Sequence, residues 1–258
     1  MRNILDTIAV SKSREVAAAK ALLPEELMRD IAHECRREAL SMKANIRNAK
    51  LGIIAEFKRR SPSKGEIHPV ADVTTIVKSY EEGGASGCSI LTDTPFFGGS
   101  LADLDVARYS AKMPLLRKDF IIAPYQILQA KIHGADAILL IASLLDYHKV
   151  GEYTDFAHEY GLEVLLELHT PEERDRYFSE IDLVGVNSRN LSNFNTNLSV
   201  AEQMMKVLPE SSVKIAESGI NSAEDIKKLR EIGYDGFLIG EMFMRDSNPG
   251  AVLNNLLN

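Results

Sequence analysis

The stretch Ile53–Gly65, with the sequence IIAEFKRRSPSKG, joins an apolar run to an abruptly polar turn. The run 51–55 that leads into it is typical of a strand buried on both faces. Because alternate residues of a strand share a face, Glu56 and Lys58 point to one side of this strand and Phe57 to the other. A solvated strand end could carry both charges. A buried strand that ends in a carboxylate and an ammonium instead indicates a site at its end.

Apolar runs of the same kind recur along the chain and predict the fold. The eight runs are IIAEF (53–57), CSIL (88–91), PLLRK (114–118), AILLI (137–141), EVLLEL (163–168), LVGVN (183–187), KIAES (214–218) and GFLIG (236–240). Segments with helical periodicity lie between them, with helix-start residues at 170–173 and 221–225. Eight strand-then-helix units predict an α/β fold of the (β/α)8 TIM barrel type, which typically takes about 250 residues. A doubly wound sheet is the alternative, but six strands would suffice for it and no GxGxxG motif follows the first strand.

The residues before the first strand predict a helical extension. Residues 1–48 hold two groups of apolar residues: Ile4, Leu5 and Ile8, and then Leu27, Ile31 and Leu40. We interpret these groups as two helices that precede the barrel. No linker or low-complexity tract divides the chain, so we expect residues 1–258 to form a single domain.

Composition and charge argue against several classes of function. The 258 residues are 45% hydrophobic and 26% charged, an ordinary globular balance, and the formal net charge of −7 argues against a nucleic-acid-binding protein. No signal peptide or membrane-spanning run is evident, so we expect a cytoplasmic protein with no membrane partner. Cys35 and Cys88 do not form a CxxC pair, and the six histidines fall in no metal-ligand spacing. We therefore expect no bound metal, and we interpret His169 as a loop or helix-entry residue.

Five of the eight predicted strands carry polar residues at or just beyond their carboxyl ends. These residues are Glu56 and Lys58, Lys118, Glu167, Asn187 with Arg189, and Glu217 with Ser218. One such residue could be a salt bridge or a solvated loop charge, but desolvating a charge is costly unless it is paired. Active sites of (β/α)8 barrels lie at the C-terminal ends of the strands. Charges that converge there shift one another's pKa values, so we predict an active site at this end.

A phosphate site is expected beside the last two strands. ESGI (217–220) and IGE (239–241) place glycines where backbone N–H groups can approach an anion. Either glycine alone would be an ordinary turn. Gly219 and Gly240 together, with Lys58 and Ser61 opposite, favour phosphate binding.

Three phenylalanines follow the second and third strands, Phe96, Phe97 and Phe120. They could pack at the barrel rim or surround a ligand ring, and the sequence leaves both interpretations open.

Several motifs together resemble one family. The strings EFKRRSPSKG, LTDTPFFGGSL, LLRKDFII, GADAILLI, LLELHTPEE, GVNSRNL, AESGI and LIGEMFMR resemble the indole-3-glycerol-phosphate synthase family, in that family's order, and ILDTIAVSKSREV resembles its N-terminal extension. The resemblance implies a monofunctional carboxy-lyase of tryptophan biosynthesis that needs no cofactor. Its reaction closes the ring of 1-(2-carboxyphenylamino)-1-deoxyribulose 5-phosphate to give indole-3-glycerol phosphate, carbon dioxide and water.

The resemblance also implies roles for individual residues. Lys118 would protonate the substrate carbonyl, Glu167 would be the acid/base partner in the later dehydration, and Lys58 would contact the substrate carboxylate and assist that proton transfer. Four residues would orient the substrate hydroxyls and the catalytic groups: Glu56, Asn187, Glu217 and Ser218. Candidate substrate-binding residues around the phosphate are Ser61, Gly219, Gly240 and the backbone of Glu241, and Arg189 is a further substrate-binding candidate. An apolar wall around the anthranilate ring would consist of Phe97, Phe120, Leu139 and Leu191.

The chain departs from the family pattern at three places. Ser188 stands within Asn187–Asn190, Ala123 occupies a commonly acidic position, and Met242-Phe243 replaces a small residue and Leu. From the first two we expect altered affinity rather than lost function. The third lies near the predicted phosphate site.

Three other functions would suit the same fold. They are an aldolase with Lys118 as a Schiff-base nucleophile, an isomerase of phosphorylated sugars, and a non-enzymatic sensor of a phosphorylated metabolite. The isomerase would not need both Lys58 and Lys118, and a sensor would need neither an acid nor a base. For the synthase we expect a small phosphorylated substrate as partner and a monomer or weak homodimer.

Overall fold

The computed structural model describes residues 4–189 and 199–258, and within these ranges eight parallel strands close into a barrel. Each strand pairs with the next along the chain, and the last pairs with the first. The strands are β1 (Gly52–Phe57), β2 (Gly87–Leu91), β3 (Leu115–Lys118), β4 (Ala137–Ile141), β5 (Glu163–Leu168), β6 (Leu183–Asn187), β7 (Val213–Glu217) and β8 (Gly236–Ile239). The predicted (β/α)8 barrel is confirmed, and all eight apolar runs form strands.

Helices precede the barrel and alternate with its strands. The helices are α1 (Ile4–Leu22), α2 (Glu25–Glu34), α3 (Met42–Asn48), α4 (Val73–Glu82), α5 (Thr94–Phe97), α6 (Leu101–Ser110), α7 (Pro124–Ile132), α8 (Tyr147–Glu159), α9 (Ser199–Met205), α10 (Ala223–Glu231), α11 (Glu241–Met244) and α12 (Pro249–Leu257). A two-stranded hairpin (Arg60–Ser61 with Gly65–Glu66) follows β1, and a 3-10 helix (Pro171–Arg176) follows β5. Within the described ranges, none of the helices combines the length and hydrophobicity needed to cross a bilayer.

The two faces of the strands are buried in different cores. Ile54, Leu116, Leu165 and Ile215 pack in a cluster inside the barrel, while their sequence neighbours pack in a larger cluster that also holds the helices. Because alternate residues share a face, residues two positions further along these strands also point inward at the C-terminal end. The strands therefore deliver Glu56, Lys118, Glu167 and Glu217 to one opening.

The N-terminal extension has three helices in the described residues, not the two that the sequence predicted. The third, α3, is only seven residues long and carries just two spaced apolar anchors, too few for a periodicity argument. Two of the residues that marked α2 are not the ones that it buries. Leu27 and Ile31 are 52% and 42% exposed, whereas Met28 and Ala32 of the same helix are buried.

Helix α3 closes the N-terminal end of the barrel. Met42 and Ile46 are fully buried there and belong to the interior cluster. A Cβ atom on Gly52 would come within 2.9 Å of Ile46, and one on Gly87 within 2.9 Å of Met42. Glycines at the strand starts thus make room for this helix, and the opposite end of the barrel is left to carry the site.

Both predicted helix starts lie where they were expected, but the second opens a 3-10 helix. Ser222 caps α10 by accepting a hydrogen bond from the backbone N–H of Asp225. Thr170 makes no capping hydrogen bond with its side chain, and the segment after it is a 3-10 helix. Its Glu173 lies in the first turn, as expected, and accepts from Ser143 and from the backbone N–H of His169.

Candidate active site

A cavity of about 320 Å³ opens at the C-terminal end of the barrel. Every described residue of the predicted site lines it: Glu56, Lys58, Ser61, Phe97, Lys118, Phe120, Leu139, Glu167, Asn187, Arg189, Glu217, Ser218, Gly219, Gly240 and Glu241. Leu191, predicted for the apolar wall, lies outside the described residues. The residues singled out at the strand ends therefore meet at one cavity.

Lys118 lies between two buried glutamates. Its Nζ atom is 3.0 Å from Oε2 of Glu167 and 2.9 Å from Oε2 of Glu217. Glu167 is 3% exposed and Glu217 1%, so both carboxyl groups are withdrawn from water. One ammonium is therefore paired with two carboxyl groups, which lie on different strands.

The three groups set one another's protonation. Burial alone would lower the pKa of Lys118, but Glu167, Glu217 and Glu56 outweigh it and raise that pKa. Burial and the repulsion of Glu167 raise the pKa of Glu217, while Lys118 pulls it down less strongly. The pKa of Glu167 is lowered, because Lys118 and His169 together outweigh the effect of its burial. The surroundings therefore favour the ionised form of Glu167 and the neutral form of Glu217, with the ammonium between them.

Two glycines leave room for the side chains of Glu217 and Glu56. A Cβ atom on Gly185 would lie 2.1 Å from Oε1 of Glu217, and one on Gly240 would lie 2.5 Å from Oε1 of Glu56. Glu56 also accepts a hydrogen bond from the ammonium of Lys58. Gly185 was not among the predicted site residues, although it lies two residues before Asn187 on the same strand and therefore on the same inward face.

The chain turns sharply after β7. Ser218 and Gly219 have φ values of +63° and +75°, so two successive residues occupy the left-handed region. Such turns form concave arrays of backbone N–H groups that suit anions. Across the cavity, Arg189 donates to Ser63 of the hairpin and lies 3.6 Å from Glu241, which also pairs with Lys64.

Two of the phenylalanines line the cavity together. The rings of Phe97 and Phe120 have centroids 5.9 Å apart, and Leu139 lies on the same cavity. Rim packing and ligand contact were both open interpretations of these residues. Their position on the cavity favours ligand contact for Phe97 and Phe120.

His169 was assigned to a loop or helix entry, and that interpretation missed its place beside the site. Its side chain is 9% exposed, and Nε2 faces Oε1 of Glu167 at 3.3 Å. On the other side of the ring, Nδ1 lies 3.7 Å from Oε2 of Glu173. The signal was present in the sequence, because His169 lies two residues beyond Glu167.

Helix α1 also contributes residues that the site prediction did not include. Ile4, Leu5 and Ile8 line the cavity. Lys12 of the same helix is 1% exposed, and its ammonium lies 3.1 Å from Asp93 and 2.9 Å from Asp119. The extension therefore supplies both a plug below the barrel and a helix at the cavity.

The three departures have structural consequences. Phe243 packs in the core against Tyr80, with ring centroids 5.8 Å apart, so its ring points away from the predicted phosphate site. Ala123 stands at the N-cap of α7 and supplies no capping hydrogen bond from its side chain. Ser188 is 2% exposed, and among the described residues its hydroxyl finds no hydrogen-bond partner.

Comparison with known proteins agrees with this geometry. Residues 5–256 match the family model described as indole-3-glycerol phosphate synthase. The chain belongs to the indole-3-glycerol phosphate synthase family. It is accordingly an enzyme, a carboxy-lyase of tryptophan biosynthesis. A phosphorylated small molecule as substrate is consistent with this family.

Relatives in the indole-3-glycerol phosphate synthase family match over their full length. The synthase of Bacteroides thetaiotaomicron is 48% identical over 257 residues, covering 100% of this chain and 98% of that protein. The synthase of Koribacter versatilis is 42% identical over 262 residues, covering 100% of both. Among solved structures, 3-hexulose-6-phosphate synthase from Salmonella typhimurium shares the fold with a TM-score of 0.63 at 13% identity, covering 80% of this chain and 98% of that one.

Proposed function

We propose that Lys118 is the general acid of this indole-3-glycerol phosphate synthase and that Glu167 is its acid/base partner. The substrate is 1-(2-carboxyphenylamino)-1-deoxyribulose 5-phosphate, and the products are indole-3-glycerol phosphate, carbon dioxide and water. One observation carries the proposal. The Lys118 ammonium lies within 3.0 Å of two buried glutamates at the cavity where the other predicted site residues meet.

The ring-closing step needs a proton donor at the ketone. As the anthranilate carbon that bears the carboxylate attacks the ketone carbon, negative charge develops on the carbonyl oxygen. The ammonium of Lys118 gives its proton to that oxygen, which becomes a hydroxyl. The carboxylate then leaves as carbon dioxide, and its bonding electrons restore the aromatic ring.

The dehydration step needs both a base and an acid. The hydroxyl leaves with a proton as water, while a second proton is removed to complete the indole. Glu167 is kept ionised by Lys118 and His169, as a base must be. Lys58, whose ammonium is held by Glu56 at the same cavity, contacts the substrate carboxylate and then assists this proton transfer.

The remaining residues bind the two ends of the substrate. Phe97, Phe120 and Leu139 are the described part of the wall that receives the anthranilate ring. The phosphate binds beside Ser61, Arg189, Gly219, Gly240 and the backbone of Glu241. Asn187 and Ser218, with Glu56 and Glu217, orient the substrate hydroxyls.

The cavity offers cations to an anionic substrate although the chain is acidic. Lys58, Lys64, Lys118 and Arg189 line the cavity, although the formal net charge is −7. Acidic residues line it too: Glu56, Asp119, Glu167, Glu217 and Glu241. Local potential at a concave site governs the approach of a ligand more than net charge does. A substrate with a carboxylate and a phosphate therefore meets cations at the opening.

The experiment is to mix the purified protein with the substrate, without added metal or cofactor, and to follow indole fluorescence. Rising fluorescence supports the proposed reaction, and borohydride added during turnover should trap no covalent adduct. A trapped adduct on Lys118 would favour the aldolase. A folded protein that binds the substrate and forms no product would favour the sensor.

A further inference from the structure

Glu167 and Glu217 share Lys118, but their second oxygens have different surroundings. Oε1 of Glu167 faces Nε2 of His169 at 3.3 Å. Oε1 of Glu217 is buried above Gly185 and has no hydrogen-bond partner among the described residues. A buried carboxylate oxygen without a partner is costly when charged and much less so when neutral. The two acids are therefore not equivalent.

His169 is fixed in place by groups from two further elements. Glu173 of the 3-10 helix accepts from the backbone N–H of His169 at 2.6 Å, and its carboxylate lies 3.7 Å from Nδ1. Ser143, after β4, donates to Glu173 at 2.6 Å and lies 3.3 Å from Nδ1. Among the described residues Nε2 makes no hydrogen bond, so it contacts Glu167 electrostatically.

We propose that His169 is a positioning residue that keeps the negative charge of the glutamate pair on Glu167 and leaves its proton on Glu217. The inference deepens the proposed function and rests on the proposed roles of Lys118 and Glu167. His169 acts through Glu167 and does not itself line the cavity.

The electrostatics agree with this arrangement. Burial alone would lower the pKa of His169, but the hydrogen-bonded Glu173 and the charges of Glu167, Glu173 and Glu217 raise it. The surroundings of His169 therefore favour its protonated form. The other charged groups facing the pair are Lys118 from β3 and, through Lys118, Glu56 from β1.

The arrangement places a proton where the mechanism consumes one. When Lys118 gives its proton to the substrate oxygen, the ammonium becomes a neutral amine. In the resting site Nζ donates to Oε2 of Glu217 at 2.9 Å, so the proton of neutral Glu217 is on Oε1. After a half-turn of the carboxyl group that proton faces the amine, and Glu217 gives it up and becomes a carboxylate. Lys118 is an ammonium again before dehydration, and Glu167 remains free to act as the base.

The test is the pH profile of kcat for His169→Gln. Without the cation at Oε1, Glu167 holds a proton at higher pH, so the acid limb of the profile should move up by about one pH unit. That shift is about a tenfold loss of kcat at low pH, and the loss should shrink as pH rises. Glu173→Gln, which keeps an acceptor for Ser143, should shift the limb in the same direction by less.

His158→Gln is the matched control. His158 also pairs with a carboxylate, that of Asp182, at 2.9 Å. Asp182 lies at the opposite end of β5 from Glu167, where it accepts a hydrogen bond from the backbone N–H of Val164. The pH profile of kcat for His158→Gln should match that of the native protein. Loss of kcat by one factor at every pH in His169→Gln, or an unchanged profile, would overturn the proposal. Absence of turnover in the native protein would contradict the proposed function instead.

Discussion

Gly185 is a single position whose lack of a side chain supports the site. Any Cβ atom there would lie 2.1 Å from Oε1 of Glu217, so Gly185→Ala should displace the carboxyl group from Lys118. A displacement of 1 Å at a catalytic group can cost about 10²-fold in rate. We expect kcat to fall by roughly that factor while the protein remains folded.

Gly151→Ala is the control for this change. The nearest atom to a Cβ at Gly151 is 4.0 Å away, on Phe178, and the residue lies within α8. The alanine should leave kcat unchanged and stabilise the helix by about 1 kcal/mol. If Gly185→Ala also kept native kcat, Glu217 would not need its present position.

The proton on Glu217 should be visible in the pH dependence of stability. Burial and Glu167 raise the pKa of Glu217 from 4.5 to about 8. An acid with a raised pKa binds more protons in the folded protein than in the unfolded one. Its contribution to the free energy of unfolding is therefore fully present below pH 4.5 and is lost as pH rises through 8.

Denaturant titration of Glu217→Gln beside the native protein measures that loss. The amide does not titrate, so the variant should gain stability relative to the native protein between pH 5 and pH 8. The gain should not exceed about 1.4 kcal/mol per pH unit. A stability difference that stays constant across this range would mean that Glu217 is ionised throughout.

Helix α1 is held to the barrel by one buried ammonium. Lys12 pairs with Asp93, which caps the helix carrying Phe97, and with Asp119, which lies between Lys118 and Phe120. Removing one partner from a buried ion pair typically costs about 3–5 kcal/mol. Lys12→Met should lower the free energy of unfolding by that amount. It should also raise KM, because α1 carries three residues of the cavity lining.

Lys20→Met tests whether the effect belongs to the ion pair. Lys20 lies on the same helix and pairs with Glu25, but it is 39% exposed. Exposed pairs contribute roughly 0–1 kcal/mol, so KM and stability should stay close to native. Equal effects in the two variants would mean that any change in α1 loosens it.

The N-terminus of α7 offers a stabilising change. Ala123 occupies the N-cap and provides no side-chain acceptor. Ala123→Asp should accept a hydrogen bond from the first turn and raise the free energy of unfolding by about 1 kcal/mol. Thermal unfolding measures the gain, and a lower Tm would show that a carboxylate is not tolerated there.

Strands were easier to predict than the extension for a physical reason. Each barrel strand is buried on both faces and so appears as an apolar run. In α2 the apolar Leu27 and Ile31 are 52% and 42% exposed while Met28 and Ala32 are buried, so the residues that mark the helix in the sequence are not the ones that it buries. The 3-10 helix at 171–176 was predicted as an α-helix because Thr170 and Pro171 look like a cap, yet Glu173 is engaged by His169 and Ser143.

Site residues could be predicted from the sequence where they lie at the end of a strand and on its inward face. Glu56, Lys118, Glu167 and Glu217 belong to this class. Lys12 does not, because its partners Asp93 and Asp119 follow strands that only the folded chain brings beside α1. Protonation states could not be predicted either, since burial and ion pairing act in opposite directions on each group.

The acid role of Lys118 is tested most directly by Lys118→Arg. An arginine keeps the positive charge between Glu167 and Glu217, but it does not give up its proton in proteins. The measurement is kcat for indole formation at saturating substrate, together with the substrate Kd by titration. We predict a Kd within about tenfold of native and a kcat lower by about 10²–10⁴-fold. A variant that retains native kcat would contradict the assignment of Lys118 as the general acid.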